Sequence, residues 1–165
     1  MSLIEFAQTL NDSELGTALR ESVYMFPLIE GLHLIGLAVA LGLLFFVDLR
    51  LLGLFLPQLP VGQVLHPLRP WLLSGFVVIF VTGILLFIAT ASKIITLPVF
   101  FYKLGFIALA GINALWFELK WGRDVGHWGD APLLPGAVRF AGLTSLTLWS
   151  LVVIAGRLIP YLSYQ

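Results

Sequence analysis

The sequence predicts an all-α integral membrane protein, a four-helix up-down bundle preceded by an amphipathic helix at the membrane interface. Three observations carry this. Of the 165 residues 59% are hydrophobic and 11% charged, against about a quarter charged in an ordinary soluble domain. Mean hydropathy is +1.01, more apolar surface than a soluble chain of this length can hide. Four stretches, about 27–55, 71–91, 98–118 and 138–160, each supply the roughly 20 mostly apolar residues that a spanning helix requires. The chain reads as a single four-helix transmembrane domain over 1–165, with no internal repeat or low-complexity tract.

The first element is the segment of about residues 2–25. Leu3, Ile4, Phe6, Ala7 and Leu10, then Leu15, Ala18, Leu19 and Tyr24, recur near helical spacing, and Asn11, Asp12 and Ser13 form a break and cap between them. One or two amphipathic turns on the membrane surface are expected. The segment has no basic n-region and no small-residue cleavage site, so it does not read as a signal peptide and is expected on the mature protein.

Prolines punctuate the four spans. Pro27 suits the first turn of span one, Pro57 and Pro60 are expected to stop it, Pro67 and Pro70 to precede span two, Pro98 to open span three and Pro160 to close span four. Connections of about 15, 6 and 19 residues, ordinary or slightly long for antiparallel neighbours, favour a compact up-down bundle with both termini on one side, here side A. Outside the spans, side A carries Arg20 and Lys93, and the opposite side B carries Arg50, Arg69, Lys120, Arg123 and Arg139. The positive-inside rule therefore puts side B in the cytoplasm and the termini in the periplasm of a multi-pass inner-membrane protein.

The zero net charge and absence of a basic run leave no electrostatic footprint for nucleic acid. There is no cysteine, so thiolate metal sites, iron–sulfur clusters and cysteine nucleophiles are excluded and any metal relies on His and carboxylates. Ser74, Ser145 and Ser150 have no His at matching depth, and neither an H-E-x-x-H motif nor a phosphate-binding Gly-rich loop occurs.

The informative residues are the ionisable ones inside the spans, because a charge in the bilayer core costs at least about 2–3 kcal/mol and tends to mark function. Glu30 and His33 are three apart and share a helix face. At 1.5 Å per residue, His33 lies about 9 Å past Pro27, Lys103 about 7 Å past Pro98 and Arg157 about 5 Å inside Pro160. One acid, one imidazole and two cations thus reach similar depth beneath side A. The His33 stripe continues through Gly36, Leu37, Ala40 and Leu44, where small residues either let helices approach or leave room for a flat ligand. The Lys103 stripe runs through Phe106, Ala110, Asn113 and Phe117, and span two adds Trp71, Gly75, Val78 and Thr82. Such aromatic, small and sparsely polar walls suit a cofactor pocket. The bland alternative is that His33 is a packing residue and that Lys103 and Arg157 snorkel.

A second polar layer lies at side B, with Asp48 and Arg50 ending span one, His66 and Arg69 before span two, and Asn113, Glu118, Lys120, Arg123 and His127 beyond. Most of these are expected to cap helices or meet head groups. His33 lies about 28 Å from that end of its helix, too far to share a cofactor with His66 or His127.

The string FPLIEGLHLIGLAVALGLLFFVDLRLLG, with its E-x-x-H-x-x-G core and D-L-R-L-L-G end, resembles the first helix of an uncharacterised bacterial four-helix membrane protein family, and the resemblance spans most of the chain. More distantly, LHLIGLAVALGLLF, TGILLF and YKLGFIALAGIN are similar to the membrane-bound, oxygen-independent protoporphyrinogen oxidase family and to the copper-resistance D-type membrane domain. The oxidase resemblance implies functional roles for His33 and Lys103, and haem association would make His33 the metal ligand. The HPLRP lead-in and the acidic N-terminal helix depart from the oxidase pattern.

The leading expectation is a membrane protein that binds haem b or a related porphyrin near the outer face, with a redox role and an unidentified redox partner. His33 would hold the iron, Glu30 or a backbone carbonyl its other ring nitrogen, and Lys103 and Arg157 the propionates, with Thr82 in the lining. With one deep histidine per chain, the iron would be five-coordinate, lysine-ligated or shared in a homodimer. A non-enzymatic subunit or scaffold with a structural polar cluster is the first alternative. A small transporter or ion-handling module through Glu30, His33 and Lys103 is the second.

Overall fold

In the computed structural model, which describes residues 2–131 and 133–163, every regular element is helical. Two short helices, α1 (Leu3–Asn11) and α2 (Glu14–Glu21), precede the long α3 (Met25–Leu51), α4 (Val61–Ile94) and α5 (Pro98–Phe117). A π-helical turn, Glu118–Gly122, prolongs α5, the single turn α6 (Val125–Trp128) follows, and α7 (Gly136–Ser163) is the last helix. Helices α3, α4, α5 with its π turn, and α7 are long and apolar enough to cross a membrane. Their outward faces carry bare aliphatic side chains, with Ile35, Leu73 and Ile112 all more than 60% exposed. Apolar surface on this scale belongs in lipid rather than water.

The bundle is two antiparallel hairpins. Helix α3 packs along α4 and α5 along α7, and α3 against α7 is the chief seam between the pairs. Small residues set the α3–α4 spacing. A Cβ at Gly75 would stand 2.8 Å from the Ala40 Cβ, and one at Gly36 2.8 Å from the Ile79 Cγ2. Glycines at the seam thus give close backbone approach. Large side chains fill the remainder in three layers. Ala91, Ile94, Ile95 and Phe100 lie beneath side A. Leu41, Ala110, Trp149 and Val152 occupy the middle, where the Phe76 and Trp149 rings meet at 5.0 Å. Val47, Leu51, Leu65, Leu72, Val125 and Trp128 close side B.

The N-terminal segment folds as two capped helices. Ser2 and Glu5 form a reciprocal capping box on α1 (2.7 and 3.2 Å), and Ser13 accepts from the Gly16 amide at 3.1 Å to start α2. Both helices dock on the side A end of α4. Ala7 is fully buried there beside Ala91. Arg20 donates to the Asn11 carbonyl at 2.7 Å, tying α1 to α2.

Three helix ends differ from the proline reading. Helix α3 stops at Leu51, ahead of Pro57, because Gly53 takes a left-handed φ of 76°. Its amide bonds to the Arg50 carbonyl and that of Leu54 to the Leu49 carbonyl, both at 3.0 Å, which closes the helix as a Schellman motif. Helix α4 begins at Val61 rather than near 71 and contains Pro67 and Pro70. The extra turns hold because Val61 and Leu65 are buried against Val125 and Trp128, so packing outweighs the lost hydrogen bonds. Pro160 lies inside α7, which continues to Ser163. A proline there withholds the donor that the Gly156 carbonyl would otherwise receive.

Candidate functional site

His33 sits in the third turn of α3, half-buried against α4. Its Nδ1 lies 2.8 Å from the Thr82 Oγ1. The Thr82 hydroxyl itself donates to the Val78 carbonyl at 2.6 Å. A threonine has one hydroxyl hydrogen, so with that hydrogen on Val78, Thr82 accepts from His33, and the imidazole proton is on Nδ1. Nε2 is then a bare acceptor, and it has no protein partner among the described residues. The ring fits because residue 83 is glycine: a Cβ there would come within 3.3 Å of the His33 Cε1.

Lys103 approaches from the other hairpin. It is half-buried, and its ammonium lies within electrostatic range of the His33 ring. The side chain runs over Gly156 of α7, where a Cβ would stand 3.4 Å from Nζ and 3.5 Å from Cε. Gly156 is also the residue whose carbonyl Pro160 leaves without its helical partner. All four long helices thus contribute to the cluster His33, Thr82, Gly83, Lys103 and Gly156.

The other two sequence candidates stand apart. Glu30 is exposed and makes no hydrogen bond or ion pair among the described residues, so the His33 ring is held by Thr82 and the Ile79 backbone carbonyl and not by Glu30. Arg157 is exposed and stacks over the Tyr161 ring at 5.3 Å from its centroid. Both residues match His33 in depth along the bundle but not in burial. Among the described residues no group of three or more His, Asp or Glu gathers as a metal site. One turn from His33 an open apolar groove of about 220 Å³ runs between α3 and α4, lined by Ile35, Gly36, Val39, Trp71, Gly75 and Val78.

Side B differs more from the sequence reading. Asp48 and Arg50 are buried, at 2% and 4% exposure, rather than set among head groups. Among the described residues the Oδ2 of Asp48 has no hydrogen-bond partner, and Gly142 admits α7 so closely that a Cβ would lie 3.1 Å from the Asp48 carbonyl oxygen. Asn113 donates to the Ala141 carbonyl at 3.0 Å and so helps join α5 to α7. Arg69 and Glu118 form an ion pair linking α4 to the π turn. His66 and His127 are both exposed.

The chain belongs to the family of unknown function DUF6644, which it matches over residues 4–162. No curated protein and no solved structure matches it.

Proposed function

For this member of that family, we propose that the His33–Lys103 cluster binds a tetrapyrrole, haem b or a related porphyrin, beneath the membrane face that carries both termini, and that it serves electron transfer. The observation that supports this most is the His33–Thr82 pair. A histidine whose Nδ1–H is held by a fixed acceptor presents Nε2 as a ligand of set orientation, the arrangement that metal-bound histidines use. Lys103 supplies a neighbouring cation for a propionate, and the groove beside His33 is apolar, as the face of a macrocycle requires. Arg157, close by in depth, is a second cation free to turn from Tyr161. A bound haem would supply one-electron chemistry at its iron.

In this reading the protein is a multi-pass inner-membrane protein with periplasmic termini. The excess of Arg and Lys on side B over Arg20 and Lys93 on side A supports that orientation. With one histidine available per chain, a homodimer would give the iron a second axial ligand. The test is the absorption spectrum of protein purified in detergent after haem-replete expression, with haemin titrated into any apo fraction. A Soret band is expected in the wild type and absent in His33→Ala, and Thr82→Val should bind more weakly. A colourless wild type that takes up no haemin would overturn the reading.

A further inference from the structure

The buried Arg50 has not been used by the His33 cluster and lies at the opposite end of the same helix. It is 4% exposed. Its Nε donates to the Leu59 carbonyl at 2.7 Å, which leaves the two terminal nitrogens of the fork. Among the described residues no carboxylate lies within ion-pair distance of it. Asp48, two residues earlier, points to another face of the helix. The two terminal nitrogens are not sealed in protein but open on the space beside them, where a guanidinium so little exposed and without a counter-charge favours an anion.

The space beside it is suited to such an anion. Arg50 lines a cavity of about 110 Å³ together with Pro57, Gln58, Leu59, Pro60, Gly129, Asp130 and Ala131. That volume is enough for a tetrahedral oxyanion. The walls are braced. The Val61 amide bonds to the Gly129 carbonyl at 3.1 Å, and the Leu59 amide to that of Leu56 at 3.1 Å. Leu56 holds a φ of 46°, a left-handed conformation that a leucine adopts only when its surroundings impose it. The loop is thus fixed in the shape that brings the Leu59 carbonyl to Arg50 and leaves the rest of the guanidinium to the cavity.

We propose that this cavity is a binding site for a phosphate group, with the Arg50 guanidinium as its charged anchor and Asp130 as an opposing charge at its edge. Planar guanidinium forks suit tetrahedral oxyanions through paired hydrogen bonds. The last turn of a spanning helix lies at the level of lipid head groups, so a phospholipid phosphate and free phosphate share the chemistry.

The full chain in nonionic detergent is titrated with inorganic phosphate by calorimetry, and phosphatidylglycerol retained from mixed micelles is counted by native mass spectrometry, with phosphatidylcholine as reference. Heat with inorganic phosphate identifies the free anion, and selective retention of phosphatidylglycerol without such heat identifies the lipid. In either arm Arg50→Gln weakens binding about tenfold or more, while Arg123→Gln, an exposed cation on the same side, leaves it unchanged. Asp130→Asn keeps Arg50 in place and strengthens binding, which holds the proposal open to test if Arg50→Gln does not fold. His33→Ala leaves binding intact, so this result is independent of the tetrapyrrole reading. No binding in either arm, or binding that Asp130→Asn leaves unchanged, overturns the proposal.

Discussion

His33 gives its Nδ1–H to Thr82 across 2.8 Å, and Thr82 passes its own hydrogen to the Val78 carbonyl. The chain of two bonds makes Thr82 an acceptor by elimination, so its side-chain oxygen and not its shape is what His33 requires. Thr82→Val keeps the shape and removes the oxygen, leaving the half-buried N–H only the Ile79 carbonyl as an acceptor. It should lower stability by about 1 kcal/mol and let the imidazole exchange between tautomers. Nitrogen chemical shifts of labelled His33 report the tautomer, and Thr82→Ser should restore the wild-type pattern. A ring that stays in the Nδ1–H form in Thr82→Val would show that another group holds it.

The glycines of the α3–α4 seam differ from those on the lipid face in what a methyl group would meet. At Gly75 the added carbon would stand 2.8 Å from a second Cβ, whereas at Gly42 nothing lies within 4 Å. The Ala40 methyl has no rotamer to escape into, so Gly75→Ala must push two backbones apart. A loss of about 1–3 kcal/mol is expected. Gly42→Ala, in an open helical position, should be neutral or stabilising by up to about 1 kcal/mol. Thermal unfolding in one detergent compares the two, and equal midpoints would contradict this packing.

Much of this was legible in the sequence for physical reasons that vary by element. The four long helices follow from apolar length alone, and the break at Asn11–Ser13 from side chains that cap locally. Helical spacing also brought His33 and Lys103 to one depth on inward faces, where the structure has them within electrostatic range. The start of α4 was hidden because Pro67 and Pro70 are local signals, whereas the burial of Val61 and Leu65 against Val125 and Trp128 is decided across more than 50 residues of chain. Glu30 and Arg157 show the limit of depth arguments. Matching height along a bundle says nothing of whether the helices around it enclose the side chain. The burial of Arg50 was hidden for a related cause: it depends on the path of the loop through Leu59, and no periodicity records a loop path.

The end of α3 makes a prediction of its own. Gly53 and Leu56 both have positive φ, 76° and 46°, but only the first is a glycine. Gly53→Ala places a Cβ in the left-handed region and should cost about 1 kcal/mol. Leu56→Gly relieves the same strain at its neighbour while removing a side chain that is 39% exposed, so its net effect should be smaller and of either sign. Chemical or thermal unfolding of the pair separates the two contributions. A Gly53→Ala protein as stable as wild type would mean that the helix ends by other means.

The docking of α1 and α2 on α4 rests on a contact too tight to accept a larger residue. Ala7 is 0% exposed and packs with Ala91, itself 0% exposed, while Leu3 on the same helix is 56% exposed. Ala7→Leu adds three carbons where none fit, and the least costly relief is for the two short helices to lift from α4 rather than for the spans to separate. Leu3→Ala removes atoms from an open face and should leave the docking unchanged. Limited proteolysis in detergent distinguishes them through the connection at residues 22–24, where Val23 and Tyr24 are both more than 70% exposed. Ala7→Leu should be cut there several times faster than wild type, with the fragment from α3 onward intact. Equal cleavage of the two variants would mean that α1 is held by lipid rather than by α4.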